Sequence, residues 1–227
     1  MYLDPMYFLF LLPAFLLSMW AQLKVKGAYS KYTRVPNQRG LTGLDAAKII
    51  LPNEGLLGVE IEGIPGELTD HYDPRTKKLR LSAGVAKQPS VASLAVTVHE
   101  IGHALQDNQN YGPLKLRSAI VPAVQVSSWV APIMFLIGLL LGMTQLAWLG
   151  IILFSLGAVF ALVTLPVELN ASKRGLQLLQ TYQLADGQEI RGAKAVLDAA
   201  ALTYVAALAQ ALITLLYYVS LMNRRRS

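Results

Sequence analysis

The sequence predicts a mainly α membrane protein, with about four transmembrane helices and a small α+β domain. Three observations predict it. The chain is 54% hydrophobic and only 15% charged, against roughly 25% charged in an ordinary soluble domain. The segments 5–23, 118–167 and 199–223 contain no charged residue at all. The remaining segments, 24–117 and 168–199, hold nearly all the charge and carry helix and strand signals of their own. A soluble globule does not leave 50 consecutive residues uncharged, and a disordered chain needs low hydrophobicity.

The first transmembrane helix is expected at 5–23. A signal peptide has a basic start and a small-residue cleavage site. This stretch is preceded by Asp4 and followed by Lys24 and Lys26, so it reads as a retained anchor. At about 1.5 Å per residue its length nearly matches a hydrocarbon core of about 30 Å. Pro13 is expected to kink it, which neighbouring helices tolerate.

The segment 24–117 is large enough for a small domain. Residues 41–51 have helical periodicity. Val59 to Ile64 alternates as a strand does, Leu79 to Leu81 reads as a second strand, and Asp73-Pro74-Arg75 between them is turn chemistry. Pro89-Ser90 opens a helix over about 90–107, with Ser90 or Ser93 as N-cap. The 50-residue uncharged stretch fits two spans, 119–141 and 146–167, turning at Gly142, Met143, Thr144 and Gln145. The segment 168–199 continues the third span as a helix, breaks near Asp186-Gly187, and forms the second part of the domain. The fourth span is expected at 200–222, ending in Arg224, Arg225 and Arg226.

The net charge of +6 and the sequence pI near 9.5 raise the question of nucleic acid. The basic residues instead flank the apolar stretches: Lys24, Lys26, Lys31 and Arg34, then Lys115 and Arg117, then Lys173 and Arg174. Membrane spans carry charge in this way, and no nucleic-acid-binding motif accompanies it. The expected partner is the lipid bilayer, not nucleic acid. There is no Cys, hence no disulfide and no Cys-based metal site.

The segment His99-Glu100-Ile101-Gly102-His103 is HExxH, and it uses two of the three His in the chain. On a helix, i and i+4 lie one turn apart on one face, so both imidazoles can point at one ion. Glu100 is offset by about 100°, within reach of a water at that ion, and can take its proton as general base. A zinc site of this kind needs a third protein ligand. Glu168 is one candidate. It stands at the end of the third span, and two spans return the chain to the membrane face that His103 left. His71, in Thr69-Asp70-His71-Tyr72-Asp73-Pro74, is the other. The favoured role for His71 is different: a transition-state hydrogen-bond donor or a substrate contact. Asp70, Asp73 and Asp107 are candidates for orienting the ligand imidazoles.

These residues carry a resemblance. The chain resembles the YugP-like neutral zinc metallopeptidases of bacterial membranes. The matching pieces are residues 68–74 (LTDHYDP), 79–82 (LRLS), 90–92 (SVA), 99–106 (HEIGHALQ) and 166–172 (PVELNAS), in that order over most of the chain. The resemblance implies a membrane zinc peptidase and leaves the substrate open. A more distant similarity is to the HtpX and CAAX prenyl protease group, in which a Glu of a later E-x-x-A-D helix joins the HExxH helix. That similarity implies a gluzincin-like zinc-protease domain with Glu168 as the third ligand of one Zn2+. Position 172 is Ser, where that group has Asp. By the same analogy the stretch around 71–82 is an edge strand that binds substrate by strand addition.

The expected function is therefore a membrane-anchored zinc metalloendopeptidase acting on protein or peptide substrates, in or near the membrane. Two other readings compete. One is a site-2-type intramembrane protease, against which stand Lys87-Gln88 before the motif helix and Gln106-Asp107-Asn108 at its end. The other is a non-catalytic scaffold or regulator that keeps a structural zinc, against which stands the presence of Glu100. The positive-inside bias, with 13 Lys and Arg in 24–117 and 4 in 168–199, predicts a catalytic domain on the cytoplasmic face of a bacterial cell membrane. The three terminal Arg argue the other way.

Overall fold

The computed structural model describes residues 5–224, with side chains from Phe8 onward. Asp4, Arg225 and Arg226, which the sequence argument uses, lie outside the described residues. Seven helices and three strands follow in order: α1 Pro5–Thr33, α2 Gly43–Asn53, β1 Glu60–Ile64, β2 His71–Asp73, β3 Lys78–Ser82, α3 Ala83–Lys87, α4 Val91–Asn108, α5 Gly112–Leu140, α6 Thr144–Thr181 and α7 Gly187–Arg224. Four of them (α1, α5, α6 and α7) are long and apolar enough to cross a membrane. The protein is a mainly α membrane protein with a small α+β part.

The described residues form two compact units. One comprises 5–22, 116–165 and 202–224. Here α5 and α6 approach closely. A Cβ on Gly138 would stand 2.8 Å from Ala147 Cα, and one on Gly150 would stand 2.6 Å from Phe135 N. Small residues allow such contact in helical membrane bundles. Phe135, Ala147, Ile151 and Met222 form the small core, and Phe135 stacks on Tyr218 with ring centroids 4.1 Å apart. The outward faces are apolar, with Val126, Trp129, Leu140, Ile152 and Leu162 exposed. In water such a surface would be a large unpaired apolar patch; against lipid tails it is the expected exterior. The helix α1 runs on through Pro13.

The other unit comprises Leu23–Lys115 and Pro166–Ala201. Its core is built around α4, whose residues are buried along nearly the whole length. Ser90 is the N-cap, its Oγ accepting from Ser93 N at 3.1 Å. Ile50 of α2, Leu79 and Leu81 of β3, and Leu179 and Leu184 pack in the same core as Leu94 and Ile101. Thr42 and Asp45 close a reciprocal capping box at the start of α2.

The sheet departs from the two strands the pattern predicts. Its order is β1-β3-β2, with β1 parallel and β2 antiparallel to β3. The turn chemistry of Asp73 therefore closes a β2–β3 hairpin. Asp73 accepts from Arg75 N at 2.9 Å and from Thr76 Oγ1 at 2.8 Å, and Lys77 takes a positive φ of 55°. The strand β2 is only three residues long, too short to show alternation in sequence. Burial of Tyr72 between polar neighbours is its structural signature.

Candidate metal centre

Two helices of the second unit deliver the candidate ligands. On α4, His99 and His103 lie one turn apart on one face, their rings edge to face with centroids 4.8 Å apart. Glu168 comes from α6, nearly fully buried. Ligand atoms of His99, His103 and Glu168 all lie within 4.8 Å of one another. Glu168 Oε2 stands 3.2 Å from His99 Nε2 and 3.5 Å from His103 Nε2. The close crossing of α4 and α6 makes this possible. A Cβ on Gly102 would stand 3.0 Å from the carbonyl carbon of Ala171 and nearer still to its oxygen. One on Gly175 would stand 2.7 Å from Val98 O. Glycine at both places lets the two backbones touch.

The Nδ1 atoms of both imidazoles are occupied from behind. His99 Nδ1 is 3.1 Å from Ser172 Oγ, and His103 Nδ1 is 3.0 Å from Gln106 Oε1. The Nε2 atoms are left facing Glu168. Two imidazole nitrogens and one carboxylate oxygen around a common point are a zinc donor set with room for a fourth ligand. The residues present therefore fit the ion.

Glu100 follows His99 on the same helix turn, close enough to feel the charges of His99, His103 and Glu168. Its Oε2 accepts from the backbone N–H of Tyr72 in β2 at 2.9 Å. Burial pushes the Glu100 carboxyl above its usual range, more than the two nearby imidazoles pull it down. For His103, burial works against the charged form, yet the hydrogen bond that its ring donates to Glu168 and the charges of Glu100 and Glu168 outweigh it and raise its pKa. The Tyr72 hydroxyl donates to Asp107 Oδ2 at 2.8 Å, and Lys77 pairs with the same oxygen. This pins β2 to the C-terminal end of α4.

The other sequence candidates fall elsewhere. His71 has both ring nitrogens engaged: Nδ1 with Thr69 O at 2.8 Å and Nε2 with Arg80 Nη1 at 3.2 Å. None of these contacts reaches the His–His–Glu group. Asp70 accepts from Ser82 N and Ser82 Oγ, Asp73 caps the hairpin turn, and Asp107 holds Tyr72 and Lys77. None of the three bonds a ligand imidazole; Ser172 and Gln106 occupy that place. Gln106 and the Tyr72 N–H had no part at the ligands in the sequence reading, and position 172 was marked there only as Ser where the more distant group has Asp. One signal was present for Gln106: a polar residue three positions after His103, on a helix otherwise buried.

Fold and site define a class: a helical membrane protein with an HExxH helix and a carboxylate from a later helix. A family model described as "Putative neutral zinc metallopeptidase" matches residues 7–223, and the chain belongs to this family. It is similar to the "Putative membrane protease YugP" of Bacillus subtilis (strain 168), at 48% identity over 215 residues, covering 94% of this chain and 96% of the relative. No solved structure matches the chain.

Proposed function

We propose that the protein is a membrane-anchored zinc metalloendopeptidase, with His99, His103 and Glu168 holding one zinc ion and Glu100 as general base. The observation that carries this reading is the convergence of three ligand atoms within 4.8 Å beside a buried carboxylate. Zinc held there supplies Lewis-acid polarisation of a carbonyl and a lowered pKa for a water. Tyr72 N–H holds Glu100 Oε2, which leaves Oε1 as the oxygen that accepts the proton of the attacking water. Glu100 then returns that proton to the departing amine as the C–N bond breaks. Burial keeps this carboxylate away from competing solvent. His71, tied to Arg80, takes the part of a substrate contact on the edge of β2.

Residues 24–117 and 168–199 make up the catalytic domain in this reading, and the compact unit 23–115 with 166–201 supports it. The substrates are membrane proteins or segments near the membrane, since Glu168 directly follows an uncharged stretch of α6. The basic residues of 24–117 and 168–199 support a cytoplasmic side for this domain. The helix α4 is not among the four apolar helices, which counts against an intramembrane site.

The test is hydrolysis of an unfolded protein by the detergent-purified chain with zinc, comparing wild type with Glu100→Gln. The variant should lose about 10²–10⁴-fold in rate. Equal cleavage by the two sinks the role of Glu100. Binding of one zinc without cleavage of any substrate in a broad panel favours the scaffold reading.

A further inference from the structure

The hydrogen bonds behind His103 form a chain with a fixed direction. Arg174 Nε donates to Asn170 Oδ1 at 2.7 Å, and a guanidinium has only donors. The Asn170 oxygen must therefore face Arg174. Gln106 Nε2 stands 3.0 Å from that same oxygen and 2.8 Å from the backbone carbonyl of Val167. Both are acceptors, so the Gln106 nitrogen must be the atom facing them. Its oxygen, Oε1, is thereby turned to His103 Nδ1. An amide flipped the other way would set its oxygen against two oxygens inside the protein, where unpaired polar groups are costly. Gln106 is fully buried, so water does not relieve such a flip.

We infer that Arg174, Asn170 and Gln106 are positioning residues that lock His103 as the Nδ1–H tautomer, with its Nε2 lone pair presented to the ion. The polarity starts at Arg174, which is further held by Gln109 Oε1 at 2.6 Å and lies over the Tyr111 ring at 5.8 Å. Imidazole has two tautomers, and only one leaves Nε2 free as a ligand. The inference rests on the zinc-site reading of His99, His103 and Glu168 and deepens it. The oriented side chain here is an amide, so ligand orientation is achieved without a second negative charge behind His103.

The experiment measures zinc affinity by competition with a chromophoric chelator, and the visible absorption of the Co2+-substituted protein. Full-length wild type, Gln106→Met, Asn170→Leu and Asn170→Asp are compared in detergent, each with its unfolding temperature. Gln106→Met and Asn170→Leu should bind zinc about 10–100-fold more weakly and change the Co2+ spectrum. Asn170→Asp keeps an acceptor oxygen for both Gln106 and Arg174, and should stay within about threefold of wild type. Folded Gln106→Met with wild-type affinity and spectrum overturns the inference. So does Asn170→Asp that falls as far as Asn170→Leu. Wild type that binds no zinc, or binds it equally after His103→Ala, overturns the zinc-site reading itself and the inference with it.

Discussion

Gly102→Ala is the sharpest perturbation of the candidate centre, because it adds one methyl at the point where α4 touches α6. The new Cβ would stand 3.0 Å from the Ala171 carbonyl carbon and 3.1 Å from its Cα, with the oxygen nearer. Comfortable contacts between such atoms begin at about 3.5 Å. The listening partner is backbone, not a flexible side-chain end, so the helices must separate by about 0.5–1 Å. Metal sites tolerate ligand distances within about 0.2 Å of ideal. The displacement falls between the two candidate ligands of α4 and the one of α6, Glu168, only three residues before position 171. Zinc affinity is expected to drop about 100-fold, at the upper end of what outer-shell changes cost. The overpacking itself costs about 1–3 kcal/mol of stability. Chelator competition reads the affinity, and thermal unfolding without zinc reads the stability. A folded Gly102→Ala variant with wild-type zinc affinity would refute the reasoning, because the crossing would then have slack that the geometry denies.

Two further predictions follow from the polar contacts. The raised pKa of His103 means that a proton and the ion compete for Nε2. A raised folded pKa contributes stability below the unfolded value of about 6.5 and loses it as pH rises through the folded value. The zinc-free protein should therefore lose stability upward through that window while zinc binding strengthens, by about tenfold per pH unit while one proton is displaced. A zinc-induced rise in unfolding temperature that does not grow with pH there would contradict this. Tyr72→Phe removes the hydroxyl that donates to Asp107 at 2.8 Å. The expected cost is about 0.5–1.5 kcal/mol in chemical denaturation, with Asp107 still paired to Lys77; an unchanged midpoint would show that the hydroxyl does not fasten β2 to α4.

What was legible in the sequence had local causes. His99 and His103 are four apart, and the helix repeat alone puts them on one face. Glu168 was legible because charge is absent for 50 residues before it. The apolar helices were legible from hydropathy, which needs no knowledge of partners. The contacts that orient the imidazoles were not, although position 172 was marked as Ser where the more distant group has Asp. Ser172 lies 73 positions from His99, and Asn170 lies 64 from Gln106. Such pairs exist only once α4 and α6 have crossed. The aspartates offered for that task were drawn by nearer donors: Ser82 for Asp70, Arg75 and Thr76 for Asp73. The residue pattern shows no strand at 71–73, because three residues have no readable period; Arg80, the cross-strand partner of His71, claims its ring.

The brevity of β2 also limits how tightly any extended peptide can be gripped by backbone alone. The order β1-β3-β2 makes β2 an open edge, a natural template for another chain. Yet the Tyr72 N–H is already given to Glu100. A docking peptide can thus complete very few ladder bonds, each worth about 0.5–1.5 kcal/mol net. Length of chain along this edge would then add little affinity. In the proposed peptidase, selection among candidate sequences would then fall to the fit of individual side chains, and products would leave readily. The same short edge, flanked by Asp73, Lys77 and Lys78, offers little to a second copy of the protein and so guards against edge-to-edge aggregation.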